Sequence, residues 1–96
     1  MDRTVTKGNV FKELGFTDEE ATVLAMRVEL ALEVEKYIKR KNLTQIKAAT
    51  YFGTTQGKIS SIVNGHVSSF SIDYLAKLVT RAGKTPRISF SRKQAA

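Results

Sequence analysis

A short stretch of the chain carries amide, hydroxyl and ammonium groups at helical spacing. Gln56, Lys58, Ser60 and Ser61 surround the apolar Ile59, which at this spacing turns away from them. Such side chains match the donors and acceptors of a DNA major groove, where Gln pairs with adenine and Lys suits a phosphate or a guanine. The alternative is that they form only the solvated face of a packed helix. The chemistry therefore favours hydrogen-bonded recognition of a polyanion.

Two short helices must position these groups. Thr44 and Thr55 are good N-caps, which predicts helices over Gln45–Phe52 and Gln56–Val63. Gly53 lies between them, where a tight turn needs a positive φ. Two short helices joined by a turn of three or four residues with a Gly form a helix-turn-helix. The N-termini of both helices offer free N–H groups to phosphates.

A longer helix precedes this pair and another helix follows it. Thr17–Glu20 reads as a capping box, and no Gly or Pro interrupts the chain from there to Lys41. Such a helix is roughly 36 Å long at 1.5 Å per residue. That is long for this chain, so a bend or break within Arg27–Leu30 is an alternative. The apolar periodicity after Ser71 predicts a fourth helix over Ile72–Ala82.

The C-terminal part changes to a period of two. Arg87–Ser91 alternates apolar and polar residues after Pro86, which predicts a β-strand. A single strand cannot satisfy its own N–H and C=O groups, so it needs a second chain. We expect a homodimer in which Ile88 and Phe90 form the two-fold interface, with a disordered tail as the alternative. Such a dimer sets two recognition helices about 34–36 Å apart, to match a pseudo-palindromic site.

These elements divide one domain into three parts. We expect an N-terminal extension over 1–16, a helical domain over 17–83 with the helix-turn-helix at 44–64, and a strand and tail over 84–96. The 96 residues are 42% hydrophobic and contain no Cys. The predicted fold is all-α, with a short C-terminal β-strand that pairs across the dimer.

The charge is divided unevenly along the chain. Residues 1–35 hold four basic and eight acidic residues, net −4, whereas residues 36–96 hold twelve basic and one acidic residue, net +11. A basic region of this size favours a nucleic acid as partner. The acidic part is a poor surface for DNA because phosphates repel it. We expect it to face solvent or a basic partner protein.

The sequence offers little for catalysis. It has one His, no Cys and one acidic residue after position 35, which leaves no nucleophile–base pair and no set of metal ligands. His66 lies in a predicted loop, and Asp73 lies in the first turn of the fourth helix, where it favours the helix dipole. We expect neither an enzyme nor a cofactor or metal site.

The residues of the motif resemble a known family. Leu43-Thr44-Gln45, Ala48-Ala49, Gly53-Thr54-Thr55-Gln56, Ile59-Ser60 and Asn64-Gly65 look like the helix-turn-helix of the XRE/Cro/lambda-repressor type. The resemblance is strong over residues 33–82 and implies a lambda-repressor-like fold. Together with Asn9–Phe16 and Phe70–Asp73, the chain is similar to antitoxins of the HigA type, which are partners of RelE-superfamily toxins.

The resemblance also implies roles for individual residues. Gln45 corresponds to a phosphate-contacting Gln, Gln56 to the first base-reading residue, and Asn64 to a residue that contacts the DNA backbone. Gly57 stands where the family usually has a larger side chain. The full set of expected DNA-binding residues is Thr44, Gln45, Thr54, Thr55, Gln56, Lys58, Ser60, Ser61 and Asn64.

The expected function is a sequence-specific transcriptional repressor that binds double-stranded DNA as a homodimer. The resemblance implies an autoregulating antitoxin, with a basic RelE-superfamily toxin as a partner. The alternatives are a toxin-neutralising protein with weak DNA binding and a stand-alone or phage-type repressor. We expect a cytoplasmic, nucleoid-associated protein without a membrane partner.

Overall fold

The computed structural model describes residues 14–92, which form four α-helices. In chain order they are α1 (Asp18–Arg40), α2 (Gln45–Phe52), α3 (Gln56–Val63) and α4 (Ile72–Arg81). The bounds expected for α2 and α3 are confirmed, and α1 and α4 each end one residue earlier than expected. Most of the expected N-terminal extension (1–13) and the end of the tail (93–96) lie outside the described residues.

Side-chain caps begin all four described helices. At α1 the Glu20 N–H donates to Thr17 Oγ1 over 3.1 Å, and the Thr17 N–H donates to Glu20 Oε1 over 2.9 Å, which completes the predicted capping box. At the other three helices the N-cap hydroxyl accepts a backbone N–H over 3.1 Å. These N-caps are Thr44, Thr55 and Ser71. Each cap contributes about 1 kcal/mol and fixes where its helix starts.

The first helix is continuous. It spans 23 residues and passes unbroken through Arg27–Leu30, so the alternative of a break there is wrong. Its second half carries the core face, with Ala31 and Val34 buried, and packs against both α3 and α4. None of the helices described within residues 14–92 is long and apolar enough to cross a lipid bilayer.

The core lies between α1 and the other three helices, and α2 packs on α3. Ala48 is fully buried, and its small side chain lets the helices cross closely. The largest fully buried side chains come from all four helices and from the loop before α4. They are Phe52, Ile59, Leu75, Val34 and Val67. Short helices such as α2 and α3 therefore owe their stability to this packing.

The segment after α4 forms neither helix nor strand in the single chain described here. Residues 84–92 lack regular secondary structure, so the strand expected over Arg87–Ser91 is not present in the single chain. The Lys84 Nζ donates to Glu33 Oε1 over 2.7 Å and ties the start of the segment to α1. This hydrogen bond, with Lys36 nearby, lowers the pKa of Glu33. Beyond it, Ile88 and Phe90 are 78% and 93% exposed.

Candidate nucleic-acid interface

The turn between α2 and α3 is fixed from two sides. Gly53 caps α2 with φ of 67° and ψ of 39°, the left-handed conformation that the sequence predicts. The Thr54 N–H then donates to the Ala49 carbonyl over 2.9 Å. From α4, the Arg81 guanidinium donates to the Phe52 carbonyl, and the Tyr51 hydroxyl donates to the Arg81 carbonyl over 2.7 Å. The angle between the two helices is therefore held by α4 as well as by the core.

The third helix presents an exposed N-terminal turn. Ile59 and Ile62 are 0% and 2% exposed and turn inwards. On the other side Gln56, Gly57 and Lys58 are exposed, and this is the face that the sequence pattern predicts. Ser60 and Ser61 are half-buried on the same helix. The face is therefore narrow, with its longest polar side chains at the N-terminal end.

The N-termini of α2 and α3 are suited to anions. Thr44 Oγ1 accepts from the Lys47 N–H and Thr55 Oγ1 from the Lys58 N–H, so each hydroxyl keeps its own proton for an external acceptor. Gln45 is the first residue of α2 and is half-buried. Neither helix has an acidic residue in its first turn, in contrast to α1 and α4. A phosphate at either end meets partial positive charge.

The polar residues at the far end of α3 form a pair. Asn64 is the C-cap residue and is exposed, and its Nδ2 donates to Ser60 Oγ over 3.3 Å. Gly65 follows with φ of 78° and ends the helix. The side-chain carbonyl oxygen of Asn64 and the hydroxyl proton of Ser60 remain available to a ligand. The contact of Asn64 with the DNA backbone, which the resemblance implies, stays a prediction.

Thr54 and Lys58 each contact Tyr74 on α4, which the sequence does not predict. Thr54 Oγ1 lies 2.7 Å from the Tyr74 hydroxyl, and Lys58 Nζ lies 5.4 Å from the centroid of the Tyr74 ring. Tyr74 lies on α4 and is half-buried. Its twenty-residue separation from Thr54 leaves no local signal in the sequence that could reveal the contact.

Two other titratable residues singled out in the sequence lie in the loop after α3 and at the start of α4. Asp73 is exposed in the first turn of α4, and a hydrogen bond with the Ser71 side chain lowers its pKa, so it stays a carboxylate. His66 is exposed in the loop after α3, as expected. In the part of the chain that the structure describes, no group of three or more His, Asp or Glu residues is placed to hold a metal ion.

The match to known protein families covers most of the chain. Residues 10–91 match a family described as a helix-turn-helix domain. The chain belongs to this family. No curated protein and no solved structure matches it. Membership in this helix-turn-helix family supports DNA as a partner of the chain.

Two glycines in this helix-turn-helix provide a matched test of its geometry. A Cβ on Gly53 would require an L-residue at positive φ and would lie 2.8 Å from Arg81 Nη1, whereas a Cβ on Gly57 would meet only Thr55 Oγ1 at 4.0 Å. We expect Gly53→Ala to lower the free energy of unfolding by about 1–2 kcal/mol. We expect Gly57→Ala to raise it by about 0.4–1 kcal/mol because the unfolded chain loses freedom.

Urea unfolding followed by far-UV circular dichroism measures both changes. A Gly53→Ala variant as stable as the wild type would mean that the left-handed turn and its contact with Arg81 are not the constraint described here.

Proposed function

We propose that this helix-turn-helix protein is a sequence-specific transcriptional repressor. The observation that carries the proposal is the first turn of α3, where Gln56 and Lys58 are exposed while Ile59, one position on, is fully buried. A polar turn whose position is fixed by the buried Ile59 can present its side chains to a partner. The +11 charge of residues 36–96 supplies the attraction to a polyanion.

The mechanism follows from the position of each group. The first turn of α3 enters the major groove, where the Gln56 amide pairs with adenine N6 and N7. The capped N-termini at Thr44 and Thr55, with Gln45, receive phosphates on the flanking backbone. Asn64 and Ser60 contact the backbone at the other end of the helix. Bound across a promoter, the protein blocks access of the transcription machinery.

The protein acts as a homodimer through its C-terminal segment. Ile88 and Phe90 are 78% and 93% exposed in the single chain, which is unusual for two large apolar residues so close together. Their period-two spacing lets both point to one face of a strand. Pairing of this segment with its two-fold copy buries that face and completes the backbone hydrogen bonds. The dimer then recognises a pseudo-palindromic operator.

An antitoxin role is favoured by the start of α1. Asp18, Glu19 and Glu20 form an exposed acidic turn, opposite in sign to the rest of the chain. Beside it lies a groove of about 410 Å³ whose lining includes Phe16 and Val23, both more than a third exposed. Glu19 and Glu20 line this groove beside the apolar side chains, together with Arg27, and the two exposed carboxylates suit a basic protein. RelE-superfamily toxins are basic proteins of this kind, as the resemblance to HigA-type antitoxins implies.

The division of roles on α3 can be tested by DNA binding. We expect Gln56→Ala to weaken binding to the operator by about 1–3 kcal/mol and to relax discrimination at one base pair, because the bidentate amide contact is lost. We expect Lys58→Ala to weaken binding to all duplexes and to lower the salt slope by about one, because a phosphate contact is lost. Titration of the upstream duplex and a scrambled duplex at two salt concentrations measures both.

A matched control for these variants is Lys36→Ala. Lys36 pairs with Glu33 on α1 over 3.2 Å and lies outside the α3 face, so its loss should leave base discrimination unchanged. Wild-type protein that binds both duplexes equally and weakly would overturn the repressor proposal. Equal losses on the two duplexes for Gln56→Ala and Lys58→Ala would overturn only the assigned roles.

The dimer is tested by replacing Ile88 and Phe90 together with Ser. We expect the wild-type mass in sedimentation equilibrium to rise with concentration from 10.7 kDa towards twice that value. The double variant should stay a monomer, since it lacks the apolar face. Ser89→Ala, on the opposite face of the strand, is the control and should dimerise normally. A wild-type mass that stays monomeric at all concentrations would contradict the proposal.

The antitoxin role is tested with the purified product of the neighbouring gene. We expect it to bind the full chain and to lose this binding when residues 1–16 are deleted or when Glu19 is changed to Lys. DNA binding should be retained in both variants, because neither change touches α2 or α3. Unchanged capture after both changes would remove the acidic groove from the toxin interface.

A further inference from the structure

An aromatic residue on α4 connects the recognition helix to the rest of the fold. Tyr74 is the third residue of α4, and its ring and hydroxyl contact two different residues of the helix-turn-helix. It is half-buried and so is partly shielded from water. Neither the family match nor the sequence pattern assigns this residue a role in DNA recognition. Its contacts nevertheless reach both the turn and the first turn of α3.

The hydroxyl end of Tyr74 fixes the turn. Thr54 follows the left-handed Gly53 and directly precedes the N-cap of α3, so its position sets where α3 begins. Its Oγ1 lies 2.7 Å from the Tyr74 hydroxyl in a partly buried pair. A hydrogen bond there restrains the turn from the side of α4, in addition to the contact of Arg81 with Phe52.

The ring of Tyr74 restrains Lys58. The Lys58 ammonium lies 5.4 Å from the ring centroid, within the range of a cation–π interaction. A free lysine loses much rotamer entropy when it binds a phosphate. A lysine already held against a ring loses less, and the ring leaves the ammonium hydrogens free to donate to an anion. Lys58 is thus pre-organised on the α4 side of α3 rather than free to sample the groove.

The ring is itself held in place. Phe70 stacks on Tyr74 with 5.7 Å between ring centroids and 14° between planes. The Phe70 carbonyl in turn accepts from Arg27 Nε on α1 over 2.6 Å. The Tyr74 N–H donates to the N-cap Ser71. The Tyr74 ring that contacts Lys58 is therefore held in place by contacts with α1 and with the start of α4.

We propose that Tyr74 is a positioning residue for DNA recognition, whose hydroxyl fixes the turn at Thr54 and whose ring holds Lys58 where it contacts a DNA phosphate. This inference rests on the proposed function, since it concerns how the same surface meets DNA. The phosphate contact proposed above for Lys58 agrees with this placement, because the ring holds the ammonium on the α4 side of α3. It also makes Tyr74 and Lys58 act as one unit in binding.

Double-mutant cycles on operator binding test the unit formed by Tyr74 and Lys58. We expect Lys58→Ala to weaken operator binding less in a Tyr74→Leu background than in the wild type. The two losses should differ by about two- to five-fold, the range of an exposed cation–π contact. In a Tyr74→Phe background, which keeps the ring, Lys58→Ala should cost as much as in the wild type. Tyr74→Leu should also lower the salt slope towards that of Lys58→Ala.

Lys47 provides the control pair. It lies exposed on α2, and the contacts found for Tyr74 among residues 14–92 join it to other residues, so Lys47→Ala and Tyr74→Leu should be additive. If Tyr74→Leu only destabilised the fold, the cycles with Lys58 and with Lys47 would change alike. The thermal unfolding midpoint of the variant would then also fall. Additive effects of Tyr74→Leu and Lys58→Ala, with an unchanged salt slope, would overturn the role of the ring.

A second cycle avoids the larger change of Tyr74→Leu. Tyr74→Phe and Thr54→Val each remove one partner of the 2.7 Å contact. We expect each to weaken operator binding, and the double variant to bind no more weakly than the worse single variant. Unchanged operator affinity in both single variants would overturn the role of the hydroxyl. Wild-type protein without any operator preference would instead refute the proposed function itself, so the two failures are distinguishable.

Discussion

The proposed recognition surface depends on the packing of two helices that are too short to be stable alone. α2 and α3 have eight residues each, and isolated helices of this length are marginal in water. Phe52 and Ile59, both fully buried, join them to each other and to α1. Because these apolar side chains supply the stability, the exposed side chains of Gln56 and Lys58 at the start of α3 lie outside the core.

The sequence predicts the local structure well, because capping chemistry is local. Thr44, Gly53 and Thr55 set the bounds of α2 and α3, and each is found in the expected role. The contacts of Tyr74 with Thr54 and of Arg81 with Phe52 span 20 and 29 residues, and no periodicity encodes them. The C-terminal strand and its dimer stay predictions, since a ladder needs a second chain.

Acidic residues are distributed differently over the first turns of the four helices. Acidic residues occupy the first turns of α1 and α4, where they favour the helix dipoles and stabilise the fold. The first turns of α2 and α3 hold none, so these two helices forgo the same stabilisation. A phosphate can supply the missing negative charge. The stabilisation absent from the free protein thus becomes available on binding, which favours the bound state.

The fourth helix links the recognition surface to the C-terminal segment. Near its start Tyr74 contacts the turn and α3, and at its end Arg81 holds the Phe52 carbonyl. Two residues beyond α4, the chain turns at Gly83 and is tied to α1 through Lys84. A helix of ten residues is about 15 Å long and stiff. In a dimer formed by the C-terminal segments, α4 would therefore transmit the two-fold geometry to both copies of α3. The spacing of the two half-sites would then depend on contacts at both ends of this helix.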